Sequence, residues 1–434
     1  ILIYLPFYQL FFGLFRLYIL YLFLYKVLVV SFFLFLRRRL LLQLYHFLLF
    51  QQHCFLNLLL LLFLLEVQKR LGVKILNPSL EVLGVIDDYI SLNWPERYND
   101  YTEITIELPK VYSTNQALRV NNIITVPFSK RIMIIRNISL DYTEDLGPIL
   151  KVTGYSGEYI LQMRTSDLDM YYEDINLHEI FTDLIYANYG LGASPSREIS
   201  TFMYKVDPGV LDAITVTDKI EPSSVYDIFK RLCDSNLLGF KVELDDSPSG
   251  RFLVLSVYSG ENRSYSQDSN PYVIFSDNYD NIVSYNYYLE LREKNVALVI
   301  SLDDVPELSK VYVYEADSPE PTGWDRYEGI VDATSLSRKV DDSPDLTDAE
   351  FLGVLTARGR DFIKDNTTNA VFDGELDVES QFVYGEHFYL GDIVQCVFDG
   401  KNKEARAVEV VFGVNNEGIS TYVSFDFEEQ EENI

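Results

Sequence analysis

The sequence predicts a mainly β protein with α+β insertions, in which two strand-rich regions flank a mixed α/β region. Three observations carry this. Apolar and polar residues alternate with period two along residues 81–154 and again along 272–427. Apolar residues at helical spacing fall between these two stretches. The length of 434 residues accommodates two to four domains at about 100–200 residues each.

The first strand-rich region runs over 67–165. In 101–108, Ile104, Ile106 and Leu108 alternate with Glu103, Thr105 and Glu107, the pattern of a half-buried strand. Ile90, Leu92 and Trp94 alternate with Ser91 and Asn93, and Pro95 is expected to close that strand. Residues 123–128, 131–140 and 149–154 are further strands separated by short polar turns. Strands at this spacing form an antiparallel barrel or a sandwich.

The mixed region runs over 166–280. Asn176 followed by Glu179 marks a helix start, with Leu177, Ile180, Phe181, Leu184 and Ile185 on one face and Gly190 as the stop. Ser224 with Asp227 marks a second helix, whose apolar face holds Val225, Ile228, Phe229, Leu232 and Cys233. Cys233 on that face is a core residue, not a nucleophile. Residues 240–244 and 252–258 pair as a hairpin around 245–250.

The second strand-rich region runs over 281–427. Strands are expected at 282–289, 296–301, 311–315, 326–331, 370–378, 393–398, 405–412 and 421–427. One helix interrupts them. Thr347 and Glu350 form a capping box, and Leu352, Leu355 and Phe362 line its buried side. Residues 428–434 are an acidic, solvated tail.

Composition divides the chain sharply. Residues 1–65 contain no Asp or Glu but 25 Leu, 12 Phe and 6 Tyr. Their charges are Arg16, Lys26, Arg37, Arg38 and Arg39, so +5 subtracted from the chain's -29 leaves -34 for residues 66–434. The apolar segment 1–66 has three readings. Stretches 17–36 and 40–65 each reach the roughly 20 residues that span a bilayer. The arginine triplet between them would mark a cytoplasmic turn, making a membrane hairpin. Alternatively the Leu/Phe/Tyr monotony reads as translation outside the true frame and hence as non-native, since Pro6 and Gly13 are its only turn residues and no methionine precedes Met133. The third reading is a buried helix. A cleavable signal is disfavoured, because the apolar stretch is too long and no small-residue cleavage site follows it.

The same arithmetic bounds function. Specific nucleic-acid binding is not expected of so acidic a chain, because phosphate recognition depends on lysine and arginine. Cys54, Cys233 and Cys396 form no CxxC pair, which argues against a disulfide framework or a structural zinc site. The four histidines are His46, His53, His178 and His387.

No catalytic, cofactor or metal site is assigned. The sequence has no GxxxxGK[ST] loop and no HExxH. Gly154-Tyr155-Ser156-Gly157 approaches a nucleophile elbow, but Glu158 stands where the last glycine belongs. Gly190-Leu191-Gly192 follows a helix, not a strand, and reads as a loop. Asp341, Asp342, Asp345 and Asp348 are a candidate calcium cluster, set against a polar turn with favourable charge at a helix N-terminus. Asp87 and Asp88, adjacent in a strand, point to opposite faces and make a poor acid/base pair. His387 reads as a solvated turn residue.

Five stretches together resemble the tail hub, or baseplate hub, proteins of long-tailed bacteriophages. They are Leu83-Gly84-Val85-Ile86-Asp87-Asp88-Tyr89 through Trp94, Arg97-Tyr98 and residues 104–108; Asn121-Asn122-Ile123-Ile124 with 131–136; Lys151-Val152-Thr153-Gly154-Tyr155-Ser156; Val273-Ile274-Phe275-Ser276 with Asn281-Ile282 and Asn295-Val296-Ala297; and Tyr384-Gly385 with 389–394 and 406–410. Their order and spacing extend over about residues 71–427, and residues 1–66 have no counterpart.

The resemblance implies two tube-type antiparallel β-barrel domains flanking the mixed α/β region. It further implies a homotrimeric ring at the virion tail tip, without enzymatic activity or cofactor. The implied partners are a distal tail ring protein, a tape-measure protein and a tail fibre or receptor-binding protein. The implied role is to close the tail tube, with DNA passing through the lumen at ejection and the tip serving host attachment. The acidity fits such a lumen, because a negative wall repels phosphates. Two alternatives stand beside this reading. One is a tip-borne peptidoglycan hydrolase, for which the chain leaves no room beyond the hub fold. The other is a membrane-anchored protein using the N-terminal segment.

Overall fold

A computed structural model of the chain divides it into two units, residues 1–70 and 71–434. The structure describes residues 72–427, apart from 144–146, 206–207, 212, 248–249, 280, 291–293, 316–317, 340–343, 367–368, 377–380 and 416–417. The apolar segment 1–66, the acidic tail 428–434, and Asp341 and Asp342 lie outside the described residues.

The first region contributes strands β1 (Val73–Leu76), β2 (Val82–Ile86), β3 (Ser91–Arg97), β4 (Glu103–Pro109), β5 (Ile123–Thr125), β6 (Ile132–Thr143) and β7 (Gly147–Ser156). In the middle lie β8 (Thr165–Ser166), β9 (Met170–Asn176), helix α1 (Leu177–Asn188), β10 (Phe202–Lys205), β11 (Thr215–Ile220), β12 (Ser223–Ser224), helix α2 (Val225–Ser235), β13 (Gly239–Ser247) and β14 (Gly250–Tyr258). The last part holds β15 (Ile274–Ser276), β16 (Ile282–Glu290), β17 (Val296–Ile300), β18 (Lys310–Val313), β19 (Glu328–Asp332) and helix α3 (Asp348–Asp365). It ends with β20 (Asn369–Leu376), β21 (Ile393–Phe398), β22 (Lys401–Asn415) and β23 (Gly418–Phe427).

The expected alternation is realised where one face is buried. In β4, Ile104, Ile106 and Leu108 are buried while Glu103, Thr105 and Glu107 are not. In β23, Val423 and Phe425 point inward and Tyr422 outward. Helix α1 starts at Asn176, whose side chain accepts the His178 N–H. Helix α3 has both halves of the expected capping box between Thr347 and Glu350.

Four local readings are corrected. Pro95 does not end its strand. It pairs opposite Val411 in the β3–β22 ladder, whereas the ladder between β3 and β4 stops at Asn93. The Tyr98 N–H bonds the Val408 carbonyl, so by antiparallel alternation the nitrogen of Pro95 faces away from β22, where no bond is lost. Ser224 stands at the N-cap position of helix α2, but its hydroxyl accepts no capping bond and is turned to the Gln162 side chain, to which it donates. Leu352 is 40% exposed, and the buried face of α3 is instead Phe351, Val354, Leu355, Gly359 and Ile363. Asp87 and Asp88 follow β2 and are not in a strand.

The two strand-rich regions share one 13-stranded sheet, ordered β16-β20-β23-β22-β3-β4-β7-β6-β5-β1-β2, with β21 on β22 and β15 on β21. The joint is the antiparallel pairing of β22 with β3, from Glu409 opposite Arg97 to Val414 opposite Leu92. Among the described residues no set of strands closes on itself into a barrel.

Separate apolar cores lie around this sheet. One holds Trp94, Ile104, Met133 and Val152, and also Val414 from the far end of the sequence. A second surrounds Phe275, Phe388 and Phe425, and includes Tyr98, the residue after β3. A third packs α1 and α2 through Phe181 and Phe229, stacked at 4.0 Å, with Phe240 and Leu255. The fourth joins α3 to the β18-β17-β19 sheet through Phe351, Leu355, Val299 and Val313. Each fully buried Phe or Leu side chain contributes about 1.5–3 kcal/mol to such a core.

Tyr98 enters its core beside two glycines. An ideal Cβ at Gly391, which has φ +92°, would stand 2.3 Å from the Tyr98 ring, and one at Gly239 equally close. Gly391→Ala is expected to destabilise the fold by about 2–4 kcal/mol, through left-handed strain plus overpacking. Gly84→Ala, where a Cβ meets nothing within 4 Å, is expected to stay within about 1 kcal/mol. Urea unfolding of both variants checks this, and equal midpoints would contradict it.

Candidate functional site: a buried three-way junction

The residues considered for chemistry are dispersed and committed to the fold. Ser156 is buried at the end of β7, and its hydroxyl accepts the Thr102 N–H at 3.1 Å. Glu158 is fully buried two residues on. Gly190 closes α1 by donating its N–H to the Ile185 carbonyl, and Leu191 in the turn is exposed. His387 is exposed in a turn, where its Nδ1 accepts the Val383 N–H at 3.0 Å. Asp348 is paired with Arg338, which also binds Asp303 at 2.9 Å. Burial pushes the Cys233 thiol well up, so it stays protonated in the core. Among the described residues no group of three or more His, Cys, Asp or Glu is placed to hold a metal ion. Nor, among them, is any helix long and apolar enough to cross a membrane.

A groove of about 350 Å³ runs between α3 and the β9–β11 ribbon, floored by Gly353, Val354 and Ala357. Its carboxylate, Glu350, is the capping-box residue of α3. That carboxylate accepts the backbone N–H and the hydroxyl of Thr347.

What the fold does assemble is a junction at the end of β3. Between them Glu96, Arg97 and Tyr98 reach three parts of the chain. Glu96 is 4% exposed and accepts hydrogen bonds from Ser129 and, at 3.2 Å, from the Tyr384 hydroxyl. Arg131, equally buried, lies 3.5 Å from Glu96 and donates to Glu158 at 3.0 Å and to the Tyr258 hydroxyl at 3.3 Å. The same Glu158 oxygen accepts the Val242 N–H at 2.9 Å, while its second oxygen has no hydrogen-bond partner. Burial alone would lower the Arg131 pKa, but Glu158, Tyr258 and Glu96 hold the guanidinium above the ordinary arginine range. Burial, reinforced by Glu96, pushes the Tyr384 phenol well up.

Arg97 pairs with Glu409 of β22 at 2.8 Å. Tyr98 donates its N–H to Val408 at 2.9 Å, accepts the Phe240 N–H at 3.0 Å, and donates its hydroxyl to the Leu237 carbonyl at 2.9 Å. Its ring meets Tyr258 edge-on at 5.3 Å, and burial raises its phenol to about 12. First region, middle region and final strands thus meet on three consecutive residues.

A second fastening ties the middle region to the α3 module. Lys219 is fully buried and donates to the carbonyls of Ser337 at 2.6 Å and Lys339 at 2.9 Å, with Asp169 at 3.3 Å. Arg358 of α3 returns a bond to the Lys219 carbonyl at 3.0 Å.

Sequence reasoning did not find the Arg131 cluster. Its one visible signal was Glu158, noted as the residue that spoils a catalytic motif. The arrangement binds elements together through buried side chains. Removing one partner of a buried pair strands the other's charge, so Arg131→Met is expected to cost about 3–5 kcal/mol. Arg97→Met, at a partly exposed pair, is expected to cost about 1 kcal/mol or less. Denaturant unfolding of the two variants checks the ranking, and equal losses would contradict it.

Solved structures that resemble the chain include a prophage tail protein, gp18, from Listeria monocytogenes, at 13% identity and TM-score 0.45, covering 83% of this chain and 95% of that one. A tail protein from Neisseria meningitidis matches at 13% identity and TM-score 0.48, covering 82% and 96%. The 43 kDa tail protein of prophage MuSo2 from Shewanella oneidensis matches at 11% identity and TM-score 0.47, covering 82% and 98%. No curated protein sequence gives a significant match. A family model described as Siphovirus ReqiPepy6 Gp37-like protein matches residues 72–422, nearly the whole described chain, and the chain therefore belongs to this family of long-tailed phage proteins.

Proposed function

We propose that the protein is a structural component of the virion tail tip of a long-tailed phage: a hub that assembles as a ring of three copies and closes the tail tube. Family membership supports the phage assignment. The observation that carries the structural role is the β3–β22 joint. It turns two strand-rich halves into one continuous antiparallel sheet, a wall of the kind a ring needs. In this reading each half supplies a tube-type barrel domain, 67–165 and 281–427, with 166–280 inserted between them. Closure of those barrels is completed on assembly.

The ring binds the distal tail ring protein on one side and fibre or receptor-binding proteins on the other, with the tape-measure protein within. It passes DNA at ejection without gripping it, since residues 66–434 carry a formal charge of -34, which repels phosphates. It catalyses nothing. Ser156 and Glu158, the side chains closest to a hydrolase motif, are spent on the hydrogen bonds of the junction.

Light scattering on the purified full chain, with negative-stain images of the same peak, tests the proposal. A three-copy ring with an open centre is expected. A monomer, or a closed particle without a lumen, would contradict it.

A further inference from the structure

The fastening at Lys219 sets a fully buried amine against a buried carboxylate oxygen, Asp169 Oδ1, that accepts no hydrogen bond. We propose that these two groups condense into an amide, so that the mature chain carries a covalent cross-link from Lys219 Nζ to Asp169 Cγ, formed with the help of Glu221. The cross-link lies within one chain, and neither it nor its test depends on the ring.

The register of β9 and β11 brings the groups together. Lys219 pairs opposite Tyr171, with Asp218 opposite Tyr172 and Ile220 opposite Met170. Side chains alternate between the faces of a ribbon. Lys219, Tyr171 and the residues two steps from them, Glu221 and Asp169, therefore share one face. Asp169 Oδ1 lies 3.3 Å from Lys219 Nζ, and Glu221 Oε1 lies 3.8 Å from it. The Lys219 side chain has no exposed surface, so bulk water does not reach the amine.

The hydrogen bonds around the amine suit a nucleophile. Lys219 Nζ donates to the carbonyls of Ser337 at 2.6 Å and Lys339 at 2.9 Å. A neutral amine has two N–H groups, which these carbonyls take up, and its lone pair is left for a carbon electrophile. Asp169 Oδ1 is buried beside the amine without a hydrogen bond, whereas a settled buried carboxylate oxygen is expected to have one. Burial raises the Glu221 carboxyl above its ordinary value, against the pull of Lys219 and Arg358. A carboxyl displaced toward neutrality in this way is suited to carry a proton.

The step balances without a co-reactant. A proton passes from the Lys219 ammonium to the Asp169 carboxylate, leaving a neutral amine and a neutral acid. The Nζ lone pair attacks Cγ, and an N–C bond forms. One C–O bond of Asp169 breaks, and its hydroxyl leaves as water with a proton taken from the nitrogen. Glu221 relays that proton and is regenerated. Nothing is oxidised or reduced. Well-oriented groups within one molecule reach effective concentrations of about 10⁵–10⁸ M. Afterwards the amide nitrogen keeps one N–H for the Ser337 or Lys339 carbonyl. The bond fastens a ribbon of only two strands, an element of marginal stability alone, and closes a loop that contains α1.

Mass spectrometry of the denatured full chain tests the inference. The chain is expected to be lighter than its sequence by one water. Trypsin digestion is expected to release a branched peptide in which Asp169 is joined to Lys219, uncut after Lys219. Asp169→Ala is expected to restore the full mass. Glu221→Gln is expected to slow the reaction by about 10²–10⁴-fold, read as the cross-linked fraction against time after expression. Both of these side chains are partly exposed, so the variants keep the fold more readily than a change at Lys219.

A chain of full mass, with the two peptides separate and linear, overturns the inference. A missing water located within a single linear peptide is a cyclised aspartate and overturns it too. A cross-link that forms at the same rate in Glu221→Gln overturns the part given to Glu221.

Discussion

Residues Glu96, Arg97 and Tyr98 between them bind the first region, the middle region and the final strands, and the placement of three of the four apolar cores depends on that. Glu96 meets Arg131, and through it Glu158 and the β13 backbone. Arg97 meets β22, and Tyr98 meets both β22 and β13. A buried arginine between two buried carboxylates contributes little net stability, because desolvation offsets much of the attraction. What it does provide is exclusion of alternatives. Any packing of β3 that separates these groups leaves charge without water or partner, so the relative placement of the cores is fixed sharply even though the gain is small. The glycines against Tyr98 enforce the same placement sterically, since no side chain fits where the ring lies.

Much of the local fold was legible in the sequence because it follows from short-range chemistry. The alternation of Ile104, Ile106 and Leu108, the Asn176 cap and the Thr347–Glu350 capping box depend on neighbours a few residues away. The misreadings share one cause, which is long-range context. Pro95 continues its strand because the ladder on one side has already ended. The Ser224 hydroxyl is turned toward Gln162, far earlier in the chain, and makes no capping bond. Leu352 is displaced from the buried face because α3 presents Phe351 and Val354 to the β17–β18 ribbon.

The junction itself was illegible for the same reason. Glu96, Arg131 and Glu158 lie tens of residues apart, and nothing in strand periodicity says that β3 will adjoin β22. Only the resemblance placed all these stretches in one family, and it did so through short motifs that include Arg97, Tyr98 and Arg131 without assigning them a role. The absence of a catalytic motif was readable, but the use of Glu158 was not. A glutamate where an elbow requires glycine is merely a failed match until Arg131 and the Val242 N–H are seen to converge on it.

One measurement bears most directly on the account: a cryo-electron microscopy reconstruction of the tail end of the intact phage particle, with this chain fitted by its sheet. The account predicts three copies around the tail axis at the tip, enclosing an open lumen. Copies distributed along the tube in a six-fold array, or no density for the chain at the tip, would contradict it.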